Sequence, residues 1–257
     1  MSMRKSLALA VAVAGIGSSA HSVPALAGPA TWSGPYAGIS GGGGWGHQNQ
    51  SGGSAQTICA FTLDTISSGF CTDGTADGNY NLSGGLVGSG IGYNFQSDRT
   101  IYGIEADASW ADISGSGTCG FGGSTHGCGG DIGGLETLRG RLGYDLGTVV
   151  PSLGDTMVFA AGGLAVGQIH AWDALLGTSG NKTAAGWTIG GGFEAMLGTN
   201  WSVKLEYLYV DLGNPAVFTA IPPNPEHVST TADIVRIGFD YHFNSVAPAA
   251  APPILGK

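Results

Sequence analysis

Residues 101–110, which run IYGIEADASW, indicate the fold most clearly because apolar and polar side chains alternate along them. A β-strand points successive side chains to opposite faces. Tyr102 and Ile104 therefore share an apolar face, while Glu105 and Asp107 share an acidic one. The segment predicts a strand that separates an apolar environment from a polar one.

The same alternation recurs in residues 138–146, 201–209 and 233–243, where the polar faces also carry basic side chains. Alternation alone fits a soluble sandwich as well as a membrane barrel. Two features favour the barrel: lysine is scarce, unlike on most water-facing sheets, and the apolar faces begin or end in aromatic residues, as membrane girdles do. The predicted aromatic girdle consists of Tyr102, Trp110, Tyr144, Trp201, Tyr209, Tyr241 and Phe243.

The number and spacing of such segments predict an all-β, eight-stranded antiparallel up-and-down transmembrane β-barrel. Segments 46–80, 112–134 and 212–228 are predicted long extracellular loops, and shorter separators are periplasmic turns. Residues 55–66 contain enough β-forming residues for an extra hairpin, or for two further barrel strands. The eight predicted strands are 36–45, 81–95, 101–111, 135–146, 156–170, 185–197, 201–211 and 229–243.

The polar faces converge inside such a barrel, which at eight strands has room for side chains but not for a wide channel. Their four acids match their four bases in number. A self-neutralising ion-pair network is favoured over a narrow pore or proton path, because an unpaired buried charge is costly. The predicted lumen charge network comprises Glu105, Asp107, Arg139, Arg141, Lys204, Glu206, Arg236 and Asp240.

The ends of the chain differ in composition from the barrel segment, 28–243. Arg4 and Lys5 precede an apolar run and a small-residue stretch, so residues 1–27 are predicted to be a secretory signal peptide. Residues 244–257 are rich in Ala and Pro and are predicted to form a flexible tail. A formal charge of −9 excludes a nucleic-acid partner, which requires a basic surface.

Two pairs of cysteines fit the oxidising compartment that an exported chain enters. Cys59 and Cys71 fall in one polar stretch and Cys119 and Cys128 in another, which fits two local loop disulfides, although four cysteines allow three pairings. A metal site built from Cys119, Cys128 and His126 is the alternative, but it lacks the C-x₂-C spacing of structural zinc sites. We expect no metal and no cofactor.

A lipid-modifying enzyme would need a Ser/His pair at the outer rim of the barrel. His47, His126 and His170 fall near that level, but nothing in their spacing pairs them with a serine. The G-x-S-x-G match at residues 38–42 lies in a glycine-saturated strand and is a chance match. We expect no enzymatic activity.

Five motifs carry a family resemblance: WSGPYAG at 32–38, YGIEAD at 102–107, RGRLGY at 139–144, KLEYLY at 204–209 and RIGFDYHF at 236–243. Together they resemble the alphaproteobacterial outer-membrane immunogenic proteins of the OmpA-like "porin family" β-barrel group. The resemblance implies an eight-stranded barrel of the bacterial outer membrane that is a surface antigen and supports envelope integrity. Expected partners are outer-membrane lipids, lipopolysaccharide, the barrel assembly machinery and a host or surface ligand. One departure is the tail after Phe243, since such barrels usually stop at the last strand's aromatic residue.

Overall fold

The computed structural model describes residues 32–52, 58–60, 70–72, 77–121, 124–147, 154–174, 178–218 and 226–243. The predicted signal peptide and tail lie outside them. Within these ranges no helix is long and apolar enough to cross a membrane. The strands are β1 (Gly34–Gly52), β2 (Ile58–Ala60), β3 (Phe70–Thr72), β4 (Asp77–Ser97), β5 (Thr100–Phe121), β6 (Ser124–Asp145), β7 (Thr156–Asp173), β8 (Thr178–Met196), β9 (Trp201–Asp211), β10 (Ala216–Phe218) and β11 (Glu226–His242).

Eight of these strands form a closed antiparallel ring in the order β1-β4-β5-β6-β7-β8-β9-β11. Strand β11 returns to pair with β1, from Tyr36 opposite His242 to Gly52 opposite Glu226. Closure removes the free strand edges. The predicted eight-stranded up-and-down barrel is confirmed. Strands β2 and β3 form a separate hairpin, so the interpretation with two further barrel strands is wrong.

The two ends of the barrel differ in their connections. Residues 98–99 join β4 to β5, and residues 197–200 join β8 to β9. Asp98 and Gly198 have positive φ angles of 53° and 123°, as tight turns require. We call this the turn end and the opposite end the rim end.

The strands are longer at the rim end than the sequence predicted. The predicted loop 112–134 is wrong for most of its length, because β5 continues to Phe121 and β6 begins at Ser124. The alternation continues through 111–121, but its polarity is inverted: Ala111 and Ile113 point inward, and Ser114 and Ser116 point outward. A search for apolar outward faces therefore ended the predicted strand at residue 111, ten residues before the end of β5.

The inversion occurs at the level of a row of outward aromatic residues. Trp110 is 74% exposed on this row, which also includes Trp45 and Trp187. The pairing register shifts between Trp110 and Ile113, and β6 has a matching shift between Ile132 and Gly134. Such β-bulges bend and twist a strand locally. The barrel wall thus changes both its geometry and its polarity at one height.

Candidate functional site

The barrel interior is the candidate site, and it is filled by two different sets of side chains. We call the set nearer the turn end the ionic lumen and define it by the buried residues Tyr36, Glu105, Asp107, Thr137, Arg139, Arg141, Glu194, Ser202, Lys204, Glu206, Arg236, Asp240 and His242. The set nearer the rim end is the apolar lumen, which consists of Leu82, Leu86, Ala111, Ile113, Ile132, Leu135, Ala165, Ile169, Leu208, Val210, Leu212, Val228, Ala232 and Ile234. All eight charged residues predicted from the sequence belong to the first set.

Arg139 occupies the centre of the ionic lumen and contacts three carboxylates. Its Nη1 donates to Oε1 of Glu206 over 2.6 Å, and its Nη2 donates to Oδ2 of Asp107 over 2.9 Å. Nη2 also donates to Glu105. Its side chain is fully buried, so these contacts replace the water that a guanidinium would otherwise bind.

Arg236 connects the same carboxylates across the barrel. Its Nε donates to Oε2 of Glu206 over 2.7 Å, and its Nη1 donates to Oδ1 of Asp107 over 2.9 Å. The hydroxyl of Thr137 donates to Asp107 over 2.6 Å. Strands β5, β6, β9 and β11 are therefore joined through their inward side chains as well as through the backbone.

Lys204 extends the network towards β1. Its Nζ donates to Oε2 of Glu105 over 3.0 Å and lies 3.3 Å from Oδ2 of Asp240. The hydroxyl of Tyr36 donates to the same Glu105 oxygen over 2.7 Å. Gly38 provides the space for Asp240, because a Cβ at Gly38 would lie 1.9 Å from Asp240 Oδ1.

The sequence interpretation missed Glu194, which comes from the glycine-rich strand β8. Arg141 forms an ion pair with Glu194. It also lies 3.6 Å from Glu105, which belongs to the predicted network. Ser202 Oγ donates to Glu194 over 2.6 Å, and His242 Nε2 lies 3.1 Å from it. In the sequence Glu194 lies between the apolar residues Phe193 and Ala195, and this alternation could have assigned it to the inner face. The network therefore holds five acids against four Arg and Lys side chains, with His242 adjoining the fifth acid.

Aromatic and apolar residues close the turn end. Trp32 is fully buried there and packs with Ile101 and Met157. Its ring meets His242 edge-on with centroids 5.7 Å apart, and its backbone N–H donates to Gln96 Oε1 over 2.8 Å. Residues 32–33, which directly precede β1, thus lie in the mouth of the barrel.

A small pocket lies inside the ionic lumen. A pocket between β1 and β11, lined in part by Tyr36, Ser40 and Asp240, offers about 10 Å³ to the centre of a water molecule. This is about the minimum that one water needs. Solutes larger than water do not fit in this pocket.

A disulfide joins Cys119 to Cys128 at the rim end. Their Cα atoms are 5.8 Å apart and both residues are buried. The predicted pairing is confirmed, but the expectation of a loop position is wrong, because the bond links β5 to β6 inside the barrel. The alternative, a metal site that uses Cys119 and Cys128 as ligands, is wrong, because their two sulfurs are bonded to each other. Cys59 stands opposite Cys71 in the β2–β3 register, and their side chains lie outside the described ones, so this pair stays a prediction.

The three rim histidines occupy different positions. His126 Nε2 lies 2.8 Å from Asp173 Oδ2 on the inner side, His170 Nδ1 lies 3.0 Å from Asp131, and His47 points outward. None of these contacts involves a serine. The closest Ser/His contact in the ionic lumen is Ser202 to His242 over 3.0 Å, and Trp32 and Tyr36 cover that imidazole.

The structure places every residue of the predicted aromatic girdle on the outer surface. They form two levels, since Trp201, Tyr241 and Phe243 pack together at the turn end with centroids 5.0 to 5.1 Å apart. At the upper level the ring centroids of Tyr209 and Trp187 lie 5.4 Å apart. Between the levels the outer surface is apolar, and its exposed members include Ile39, Val87, Ile91, Ile104, Leu138, Leu142, Leu164, Ile189, Leu205 and Ile237.

Comparison with known proteins agrees with this lipid-facing surface. The family model of the outer membrane protein beta-barrel domain matches residues 8–243. The chain belongs to this family. It is 35% identical over 169 residues to the 31 kDa outer-membrane immunogenic protein of Brucella melitensis, covering 63% of this chain and 68% of that one. The 25 kDa outer-membrane immunogenic protein of Brucella canis is 36% identical over 162 residues, covering 61% and 65%.

Among solved structures, the outer membrane protein OprG from Pseudomonas aeruginosa is similar to this chain with a TM-score of 0.42 and 15% sequence identity. The aligned region covers 82% of this chain and 97% of OprG. The family places this protein in the bacterial outer membrane. The turn end then faces the periplasm and the rim end faces outward, as short turns and long strands do in such barrels.

Proposed function

We propose that this protein is a structural barrel that seals its own lumen, displays its rim end as a surface antigen and contributes to the integrity of the envelope. The observation that carries the proposal is the succession of Trp32, the ionic lumen and the apolar lumen along the barrel axis. An ion crossing this interior would have to displace paired charges and then enter an apolar core, and both steps are costly. The family relatives named immunogenic support the antigenic role.

Catalysis is not part of this proposal. An active site must offer a nucleophile or base to a substrate, whereas the Ser202–His242 contact is buried and the histidine nitrogen is shared with Glu194. Adhesion by the rim end stays a prediction, because no contact of the described residues argues for a particular ligand.

Planar-bilayer recordings test the seal. Refolded full-length protein should give no stepwise conductance, while a wide porin inserted into the same bilayers shows that insertion is detected. Reproducible unitary steps from this protein would replace the structural role with the narrow-channel alternative.

Envelope integrity requires a separate test in cells. A deletion strain should become more sensitive to detergent, and the wild-type gene should restore resistance. Antibodies raised against the folded barrel should label intact cells. Unchanged detergent sensitivity, or labelling only after permeabilisation, would contradict the respective part of the proposal.

A further inference from the structure

The two sulfurs of the Cys119–Cys128 disulfide are enclosed by neighbouring strands in the folded barrel. Cys119 is 1% exposed and Cys128 is 0% exposed. A Cβ placed at Gly78 of β4 would lie 1.8 Å from Cys119 Sγ and 3.1 Å from Cys128 Sγ, so this side has no room even for a methyl group. On β1, Gln50 Oε1 lies 3.5 Å from Cys119 Sγ. Strands β1 and β4 therefore leave no space on their side for a third sulfur atom.

Strands β6 and β7 enclose the sulfurs from another side. The side chain of Asp173 is fully buried, and its Oδ2 lies 2.8 Å from Nε2 of His126. One ligand atom from each of these two side chains and Cys119 Sγ all lie within 4.8 Å of one another. Thiol–disulfide exchange requires the two reacting sulfurs to meet. A protein reagent therefore cannot react with either sulfur while the barrel stays folded.

The position of the disulfide along the barrel axis adds a second barrier. Its two sulfurs lie at the rim end, which faces outward, whereas the proteins that oxidise thiols in a bacterial envelope act in the periplasm. Trp32 and the ionic lumen fill the interior between the periplasmic mouth and the sulfurs. A periplasmic protein therefore has access to these cysteines only before the barrel is inserted and closed.

The bond needs no closed barrel in order to form, because it is local in sequence. Only 9 residues separate Cys119 from Cys128. The shortest alternative that uses either of them, Cys71 with Cys119, would span 48 residues. Loop-closure entropy favours the shorter loop by a factor of about 12 in an open chain. The observed pair is therefore the preferred product of oxidation before folding is complete.

We infer that a periplasmic dithiol oxidase, a protein that carries an exchangeable disulfide, oxidises Cys119 and Cys128 before the barrel closes. The thiolate of one cysteine attacks a sulfur of the oxidase disulfide, which forms a mixed disulfide and releases one oxidase thiolate. The thiolate of the other cysteine then attacks the mixed disulfide, which forms the Cys119–Cys128 bond and releases the second oxidase thiolate. Two electrons pass from the cysteines to the oxidase, and its two thiolates take up the two protons that the cysteines lose.

A bond that forms early is present while β5 and β6 align. Glycine-rich strands specify their register weakly, and the rim parts of these strands have glycine at positions 115, 117, 120, 127, 129 and 130. The register also shifts between Trp110 and Ile113, so pairing below this bulge does not dictate the alignment above it. A slip by one residue would turn every rim side chain to the opposite face. The disulfide restricts such a slip.

This inference rests on the burial of the two sulfurs and on the orientation of the barrel in the outer membrane. It goes beyond the proposed structural role and does not depend on it. A barrel that conducts ions would leave the sulfurs enclosed, and oxidation of the sulfurs after closure would leave the ionic lumen paired. The failure of one proposal is therefore distinguishable from the failure of the other.

The test uses the full-length variant Cys59→Ser/Cys71→Ser, in which Cys119 and Cys128 are the remaining cysteines. One reduced sample stays unfolded in urea, and the other is refolded in detergent micelles, which leave both ends of the barrel accessible. Oxidised glutathione, which is smaller than a protein oxidase, is added to both, and alkylation of the remaining thiols gives the half-time of oxidation. The half-time should be longer in the folded sample by a factor of about ten or more.

The matched control places one thiol on the outer face of the same hairpin. Thr118 is exposed and adjoins Cys119 in sequence. In a chain whose four native cysteines are replaced by serine, Thr118→Cys should form its mixed disulfide with glutathione at similar rates in the folded and unfolded samples. This control separates enclosure of the native sulfurs from a general effect of the micelle.

A measurement in cells identifies the oxidant. In cells without periplasmic dithiol oxidases, the folded variant Cys59→Ser/Cys71→Ser in the outer membrane should carry free thiols at Cys119 and Cys128. These thiols should stay reduced when oxidised glutathione is added outside the cells. Half-times in vitro that differ by less than about tenfold, or a fully oxidised barrel in the oxidase-deficient cells, would overturn the inference. Failure of the reduced chain to fold in micelles would support it, because closure would then require the bond.

Discussion

The ionic lumen and the apolar lumen lie inside the same strands and differ in nearly every chemical respect. In β5, Glu105 and Asp107 point into the first, whereas Ala111 and Ile113 point into the second. The outer surface changes in the opposite sense, from Ile104 at the lipid-facing level to Ser116 above it. The wall is inverted in polarity at one height, and in β5 the period of two continues through the inversion.

The surroundings of the strand, and not the strand itself, therefore determine which side chains face inward. Within the membrane the apolar face of each strand contacts lipid, so the polar side chains on the other face must hydrogen-bond or pair with one another inside the barrel. Above the lipid, the polar face contacts water and the apolar face can pack inward, as in a soluble protein. The ionic lumen therefore closes the barrel by charge pairing, and the apolar lumen closes it by hydrophobic packing.

The strongest test of this contrast removes the central cation of the ionic lumen. Arg139→Ala leaves Glu105, Asp107 and Glu206 without their shared partner. Breaking a buried pair in this way should lower the free energy of unfolding by about 3–5 kcal/mol, measured by urea titration in lipid vesicles. Arg99→Ala at the exposed turn is the control and should cost less than about 0.5 kcal/mol. Equal stability of both variants would reject the network.

A second variant examines the apolar lumen by the cost of a cavity. Ile113→Ala should lower the free energy of unfolding by about 3 kcal/mol, because its side chain is 1% exposed and the surrounding strands cannot collapse freely. Ile104→Ala removes the same atoms from the 61% exposed lipid-facing surface and should cost much less. Equal losses at the two positions would mean that the upper interior is not a packed core.

The disulfide adds a covalent restraint to the apolar end of the barrel. Replacing Cys119 and Cys128 with alanine frees a segment whose ends are separated by 9 residues. Loop-closure entropy then predicts a loss of about 2.6 kcal/mol in the urea titration. A variant as stable as the wild type under non-reducing conditions would show that the bond adds nothing to the folded barrel.

The smallest expected effects come from two buried tyrosines, one at each level. Tyr36→Phe removes hydrogen bonds to the charged groups of Glu105 and Arg141, and should cost about 2 kcal/mol. Tyr80→Phe removes bonds to the neutral amides of Gln48 and Gln50, and should cost about 1 kcal/mol. A larger loss of unfolding free energy for Tyr80→Phe than for Tyr36→Phe would contradict the division of the interior into a charged lower part and an uncharged upper part.

Much of the lower barrel could be predicted because its pattern is local. Alternation in residues 101–110 assigned Glu105 and Asp107 to the inner face, and similar segments assigned Arg139 and Arg236. Glu194 escaped because its strand is rich in glycine, which has no side chain to mark a face. The rim strands escaped because their outer residues are Ser, Thr and Asn, a composition also typical of loops.

The strand period and the lipid-facing band could be read from the sequence alone, because each depends on spacing within one segment. The expected balance of four acids and four bases was incomplete, because it left out Glu194. The pairing of each acid with its base depends on the tertiary structure. Arg139 and Glu206 are 67 residues apart, and Arg236 and Asp107 are 129 apart. Ring closure and strand stagger bring them within hydrogen-bond distance, and neither quantity is encoded in the alternation of a single strand.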